Sequence, residues 1–433
     1  MSVTKFTRNG FMRPFTAVFT ALLIAGTVAI AQDAAVTYLQ KREALAEGDW
    51  RGRVGLGHWC EANALPLQAA SLYRETLKLK PDHQDAYDRL VKIADTHVLP
   101  ENTRRHAELL KEFKGMSLHT TRHFIILYDT TEPWARNRAA LLEKAHDVYF
   151  STFRRVGFKP MPLEERLVCL LFADHDDYVA YGLKYDNAQL GWAAGYYSTK
   201  TNRITFYDER QSPQFEQVKQ KITELNGAAD QLRQAIRTAA GQNNHALVTE
   251  YRRQLESVSK QANWYRNRHE AISQIGNASK TVHEAVHQLS FNSQLQSRRV
   301  FYPFWLSEGL ATNFETDNPA RAFGPLHPND WRKNALRDAE SKDKLVPLKT
   351  LVAVGRPDTT DAYSLDVMYN QSWALFGYLF RYEREALDTY LREIKNTPAE
   401  IRDGATLRKE FVDAFGDLDL LQTRYDNYLK RLR

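Results

Sequence analysis

Ser279 to Asn292 reads SKTVHEAVHQLSFN, and this stretch restricts the fold more than any other. In a helix, residues four apart share a face, so His283 and His287 can offer imidazole nitrogens to one tetrahedral ion. Glu284 then projects about 100° round the axis, beside the ion's open position. The plain alternative is a helix with core histidines and a solvated glutamate. The sequel PFWLSEGLATNFE places Glu308 in a second helical segment, 21 residues after His287. A zinc site of the His₂Glu type takes its third ligand from a separate helix, so that three side chains close one side of the metal and leave the other open. The pattern therefore asks for two helices brought together, with His283, His287 and Glu308 as candidate ligands of one Zn²⁺ per chain. Thr312 and Glu315, four and seven residues past Glu308, share its helix face and are candidates to orient a ligand imidazole. Trp305 and Phe314 read as core.

The rest of the 433-residue chain changes texture several times. Lys5, Arg8 and Arg13 precede an apolar run from Phe15 to Ile30 that closes on Ala29-Ile30-Ala31, the pattern of a signal peptide over residues 1–31 cleaved after Ala31. An uncleaved anchor helix is the alternative, but the run is short for a full span. Export implies a secreted or periplasmic protein with no membrane span after signal removal. Removing three positive charges leaves a formal +3 from +6, which gives no argument for nucleic acid as a partner. Cys60 and Cys169 are the only cysteines, too few for a disulfide framework; a single bridge between them stays open.

Residues 32–115 read as a helical lobe. Leu56-Gly57-x-x-Cys60, Ala69-x-x-x-Tyr73 and Pro81 follow the spacing of one tetratricopeptide (TPR) repeat, in which small residues let two antiparallel helices touch. One repeat cannot bury its own apolar face, so the lobe must lean on a neighbour or a protein partner. From residue 116 onward HFIILYD, RLVCLLFAD, GWAAGYYS and NRITFYD are short β-branched and aromatic runs with a long amphipathic helix between the first two, so residues 116–433 are expected to be α+β with a small mixed sheet. Residues 213–275 break that rhythm. Phe215, Val218, Ile222, Leu225, Ala229, Leu232, Ile236 and Ala239, then Val248, Tyr251, Leu255, Val258, Ala262, Tyr265, His269 and Ile272, alternate steps of four and three around GQNN, which predicts an inserted antiparallel helical hairpin. The hairpin is either solvated or a second docking element for a partner. Residues 365–433 are read as a C-terminal helical part.

TVHEAVHQLSFN, FWLSEGLATNFE and YNQSWALFGYLF together resemble the gluzincin metallopeptidases, the thermolysin-like group with HExxH followed by a glutamate one helix later. WLSEGLA is similar to the W-L-x-E-G-x-A of their aminopeptidase branch. The fuller pattern resembles a bacterial family of uncharacterised exported proteins that carry this signature, often beside TPR-like helices. The resemblance implies a thermolysin-like zincin domain in which His283, His287 and Glu308 bind zinc and Glu284 is general base and acid. It also implies a peptide or protein substrate and an oxyanion donor downstream, for which Tyr369 is the best-placed residue and Tyr363 the next. Ala193 to Tyr197, AAGYY, is the expected strand beside an extended substrate. No G-A-M-E-N-like stretch is present to hold a free amino terminus, which sets the chain apart from the aminopeptidases. Two rival readings stand beside the peptidase. One is a non-catalytic scaffold acting through the lobe and hairpin with a structural or vestigial zinc; the other is a zinc hydrolase of non-peptide bonds.

Overall fold

The structure, a computed structural model, describes residues 33–189, 193–211, 213–270, 276–359, 361–397 and 400–432. The expected signal peptide and its cleavage site lie outside the described residues, as does the end of the expected hairpin at 271–275. The chain divides into two units between Val98 and Leu99.

The first unit is helical, with α1 (33–43), α2 (Trp50–Ala62), α3 (Pro66–Leu79) and α4 (Gln84–Thr96). Asp49 caps α2 by accepting from the Gly52 amide, and Pro66 opens α3 where no helical amide partner is needed. Gly57 lies under Tyr73; a Cβ there would stand 2.5 Å from the ring, so only glycine lets α2 and α3 approach this closely. Leu56, Cys60, Ala69, Leu72, Leu90 and Ile93 fill the space between the helices.

The expected end of this lobe at residue 115 needs correction. α5 (Thr103–Glu112) belongs to the second unit, because Leu109 and the following Phe113 pack on one face of its sheet. That sheet has five strands, β1 (Ser117–Thr120), β2 (Phe124–Tyr128), β3 (Leu167–Phe172), β4 (Gly195–Ser198) and β5 (Arg203–Tyr207), in spatial order β1-β2-β3-β5-β4. β2, β3 and β5 run parallel, and the two outer strands are antiparallel to their neighbours. The second unit is thus of the expected α+β class.

The parallel strands are buried on both faces, which explains their unbroken apolar runs. Phe124, Ile126, Cys169, Leu171, Ile204 and Phe206 point to the large core, where they meet α6 (Glu132–Arg155), α10 (Gly276–Asn292), α11 (Phe304–Thr312) and α14 (Ala362–Tyr382). Their alternates Ile125, Leu127, Val168, Leu170 and Phe172 meet α5 and α7 (His175–Tyr181). Between β5 and α10 stand α8 (Pro213–Gly241) and α9 (His245–Glu270), packed side by side. Phe215, Val218, Leu225, Ala229, Ala239, Val248 and Ala262 are turned inward between them. Beyond α11 come α12 (Asp330–Ser341) and α13 (Leu348–Leu351), and α15 (Arg384–Ile394), α16 (Gly404–Phe415) and α17 (Leu418–Arg431) close the large core. Cys60 and Cys169 are both buried thiols, one in each unit. Among the described residues no helix is long and apolar enough to cross a membrane.

Candidate functional site

α10 presents Val282, Ala285, Val286 and Leu289 to the core, all fully buried. Gln288 fixes the helix on the sheet by donating to the carbonyls of Val168 and Asn202 at 3.1 and 2.9 Å. That anchoring turns His283, Glu284 and His287 toward an open cleft of about 560 Å³. α11 brings Glu308 to the same place. The Nε2 atoms of His283 and His287 are 3.1 Å apart, and one Glu308 oxygen lies 3.2 Å from the first and 3.5 Å from the second. The ligand atoms of all three side chains fall within 4.8 Å of one another. Their charges are coupled. Burial would raise the Glu308 carboxyl, but the imidazoles of His287 and His283 outweigh it and hold Glu308 below its ordinary value. Burial likewise opposes protonation of His283, yet the bonds to Glu308 and Glu315 raise it well above the usual imidazole range.

Glu284 lies outside that triangle. Its Oε2 accepts the backbone amide of Tyr197 on β4 at 2.8 Å, and burial raises its pKa, a shift the two histidines only partly offset. Ala193 to Tyr197 border the cleft, the strand itself beginning at Gly195. Gly195 has no room for a side chain, since a Cβ would stand 2.0 Å from the Phe206 ring. The two tyrosines part company: Tyr197 stacks on Phe291 at 5.6 Å, whereas Tyr196 joins the core on the sheet's other face and donates to Asp186.

Of the two candidates past Glu308, only Glu315 reaches an imidazole. Its Oε1 is 2.9 Å from Nδ1 of His283, leaving Nε2 of that ring for the triad. Thr312 spends its hydroxyl on the carbonyls of Glu308 and Gly309. Glu315 is itself held by Arg332 of α12, a residue the sequence reading missed; a lone arginine in no motif gives no signal. Tyr369, on α14, lines the cleft with its ring 6.4 Å from that of His283 and 5.0 Å from that of Phe304. The negative charge of Glu308, and burial after it, push the phenol well above its ordinary pKa, so it stays protonated. Tyr363, the next candidate, lines a different cavity and bonds Asp338 at 3.2 Å.

A second group, His123, His146 and Asp147, also gathers ligand atoms. There the two rings stack face to face, 3.6 Å between centroids at 16°. In-plane lone pairs on parallel rings do not converge on one ion. Each ring is instead satisfied at Nδ1, by Glu143 at 2.6 Å and by Asp147 at 3.0 Å.

The described residues define an α+β protein whose cleft gathers two histidines and a glutamate from two helices, with a further glutamate of α10 beside them bonded to the edge strand of the sheet. Residues 277–400 match a family described as a protein of unknown function, DUF1570, and that stretch contains His283, Glu284, His287, Glu308, Glu315, Arg332 and Tyr369. No curated protein matches the chain.

Proposed function

We propose that the chain is an exported zinc metallopeptidase of gluzincin type. The observation that carries this reading is the triad's spacing. Four-coordinate zinc with bonds of about 2.0–2.2 Å sets its ligand atoms roughly 3.3–3.6 Å apart, and the separations among the three side-chain atoms here, 3.1, 3.2 and 3.5 Å, lie at or just below that span. The donor set fits as well: two imidazole nitrogens and one carboxylate oxygen suit this borderline ion and leave one side open to the cleft.

When bound there, zinc would lower the pKa of a coordinated water and polarise a carbonyl. The protein's part is to place and move protons. Glu284, raised by burial and tethered by the Tyr197 amide, stands ready to accept a proton from attacking water and to return it to the leaving amine. Glu315 fixes the ring of His283 through Nδ1. Tyr369 keeps its proton and can donate to an oxygen that gains negative charge.

The test is metal analysis of the purified chain paired with digestion of a peptide library. About one zinc per chain is expected, falling well below one in His283→Ala, His287→Ala and Glu308→Ala. Glu284→Gln should keep its zinc and lose hydrolysis. Normal turnover by Glu284→Gln, or a wild-type chain that takes up no zinc, overturns the proposal.

A further inference from the structure

We infer that Arg332 is a positioning residue of the zinc site, acting through Glu315 on the ring of His283; the inference rests on the zinc-peptidase reading above. Arg332 sits in the first turn of α12, where Asn329 caps the helix by accepting the Arg332 amide. Its guanidinium is buried, with 7% of the side chain exposed, and grips the carboxylate of Glu315, itself 9% exposed. Nε donates to Oε2 at 2.8 Å, and Nη2 to Oε1 and Oε2 at 2.8 and 2.6 Å. Nη1 donates to the side-chain oxygen of Asn370 on α14 at 2.9 Å. The guanidinium lies 4.4 Å from the Trp331 ring and 5.9 Å from that of Tyr369.

Two features make this a positioning device and not an incidental ion pair. First, the fork fixes the carboxylate plane. Oε1 of Glu315 accepts from Arg332 while facing Nδ1 of His283, so the orientation of the plane sets the rotation of the ring and the direction of its Nε2 lone pair. An ammonium makes point contacts and cannot hold a plane in this way. Second, the guanidinium is anchored from the far side by Asn370, one residue from Tyr369, so a single side chain ties the helix bearing Tyr369 to the ligand sphere. With Nε, Nη1 and Nη2 all engaged by Glu315 and Asn370, Arg332 is directed at the protein and away from the substrate space it borders.

The experiment measures zinc affinity of the full chain by chelator competition, with the absorption bands of the Co²⁺-loaded protein as a second readout. Wild type, Arg332→Lys, Glu315→Gln and the double variant are compared, with circular dichroism as the check on folding. Each single variant should lose about ten- to a hundredfold in zinc affinity, the usual scale for removing a group that orients a metal ligand. The double variant should be no weaker than the worse single one, because Arg332 works through Glu315. Arg332→Lys should also shift the Co²⁺ bands. Should Arg332→Lys fail to fold, Asn370→Ser takes its place: it leaves the fork intact, frees its anchor, and should weaken zinc several-fold. Folded Arg332→Lys with wild-type affinity, losses that multiply in the double variant, or Asn370→Ser with unchanged affinity would overturn the inference. A wild-type chain that binds no zinc removes the peptidase reading itself, so the two failures are told apart.

Discussion

Tyr369 faces the cleft from the same helix that anchors Arg332, and its phenol remains neutral because Glu308 and burial both oppose ionisation. A neutral hydroxyl donates without repelling a cation, which suits it to the side of an oxyanion away from the metal. Tyr369→Phe removes that hydroxyl and little volume. Zinc content and stability should hold, while kcat falls by roughly ten- to a thousandfold, the scale of one lost oxyanion donor. Steady-state kinetics on a cleaved peptide decide it, and unchanged kcat/KM would take this tyrosine out of the mechanism. The residues of the site differ in how far the sequence revealed them. His283, Glu284 and His287 were legible because helical spacing makes their geometry local, and Glu308 because its motif follows on a second helix; Glu315, expected on the same helix face as Glu308, lies instead beyond the end of α11 at Thr312, in the segment that follows. Which of Thr312 and Glu315 reaches an imidazole was not legible, since that depends on where α12 delivers Arg332. Nor was the Tyr197 amide, because a backbone donor leaves no trace in residue type.

Between the elements, α11 and α14 approach closely beside the site. Gly309 directly follows Glu308, and a Cβ there would stand 2.5 Å from the Ser372 carbonyl oxygen and 3.0 Å from Cβ of Phe376. Asn313 fastens the pair by donating to the carbonyls of Gly309 and Trp373 at 2.7 and 2.8 Å. Gly309→Ala should therefore push the helices apart and cost about 1–3 kcal/mol, the range for overpacking a filled core. Thermal unfolding would register this as a lower Tm, and zinc affinity should drop as Glu308 is displaced; an unchanged Tm would show slack that the packing does not suggest. Packing also sets α5 outside the helical lobe, which ends at Val98. The apolar positions of α5 announce an amphipathic helix, but periodicity does not say which core receives it. Leu109 and Phe113 answer that only once the sheet is formed.

For the whole molecule, the hairpin of α8 and α9 is an inserted feature that should be separable from the second unit around it. Its seam is buried within itself, and Phe215 and His269, near its two ends, stack at 4.6 Å, so the chain leaves and returns at nearly one point. Replacing Pro213 to Gly276 with a short glycine-serine linker should leave a folded, zinc-binding chain. Circular dichroism should lose helix in proportion to the 29 and 26 residues removed. Insolubility or loss of zinc would make the hairpin part of the core. Here the sequence was informative because two heptad runs around one turn constitute a complete local instruction. The order of the five strands was not readable, since it is decided by which apolar faces the helices must cover.

The bond from Tyr197 to Glu284 has a bearing on where a substrate would lie. In an antiparallel pair alternate residues turn their backbone groups outward, so on β4 the free edge is presented by Gly195 and Tyr197. One of those two amides is already given to Glu284. Under the proposed function, a peptide laid along this edge would lie against the very strand that tethers the carboxylate. The sheet edge would then serve twice: the strand a substrate chain would lie against is also the strand that holds the group meant to act on it.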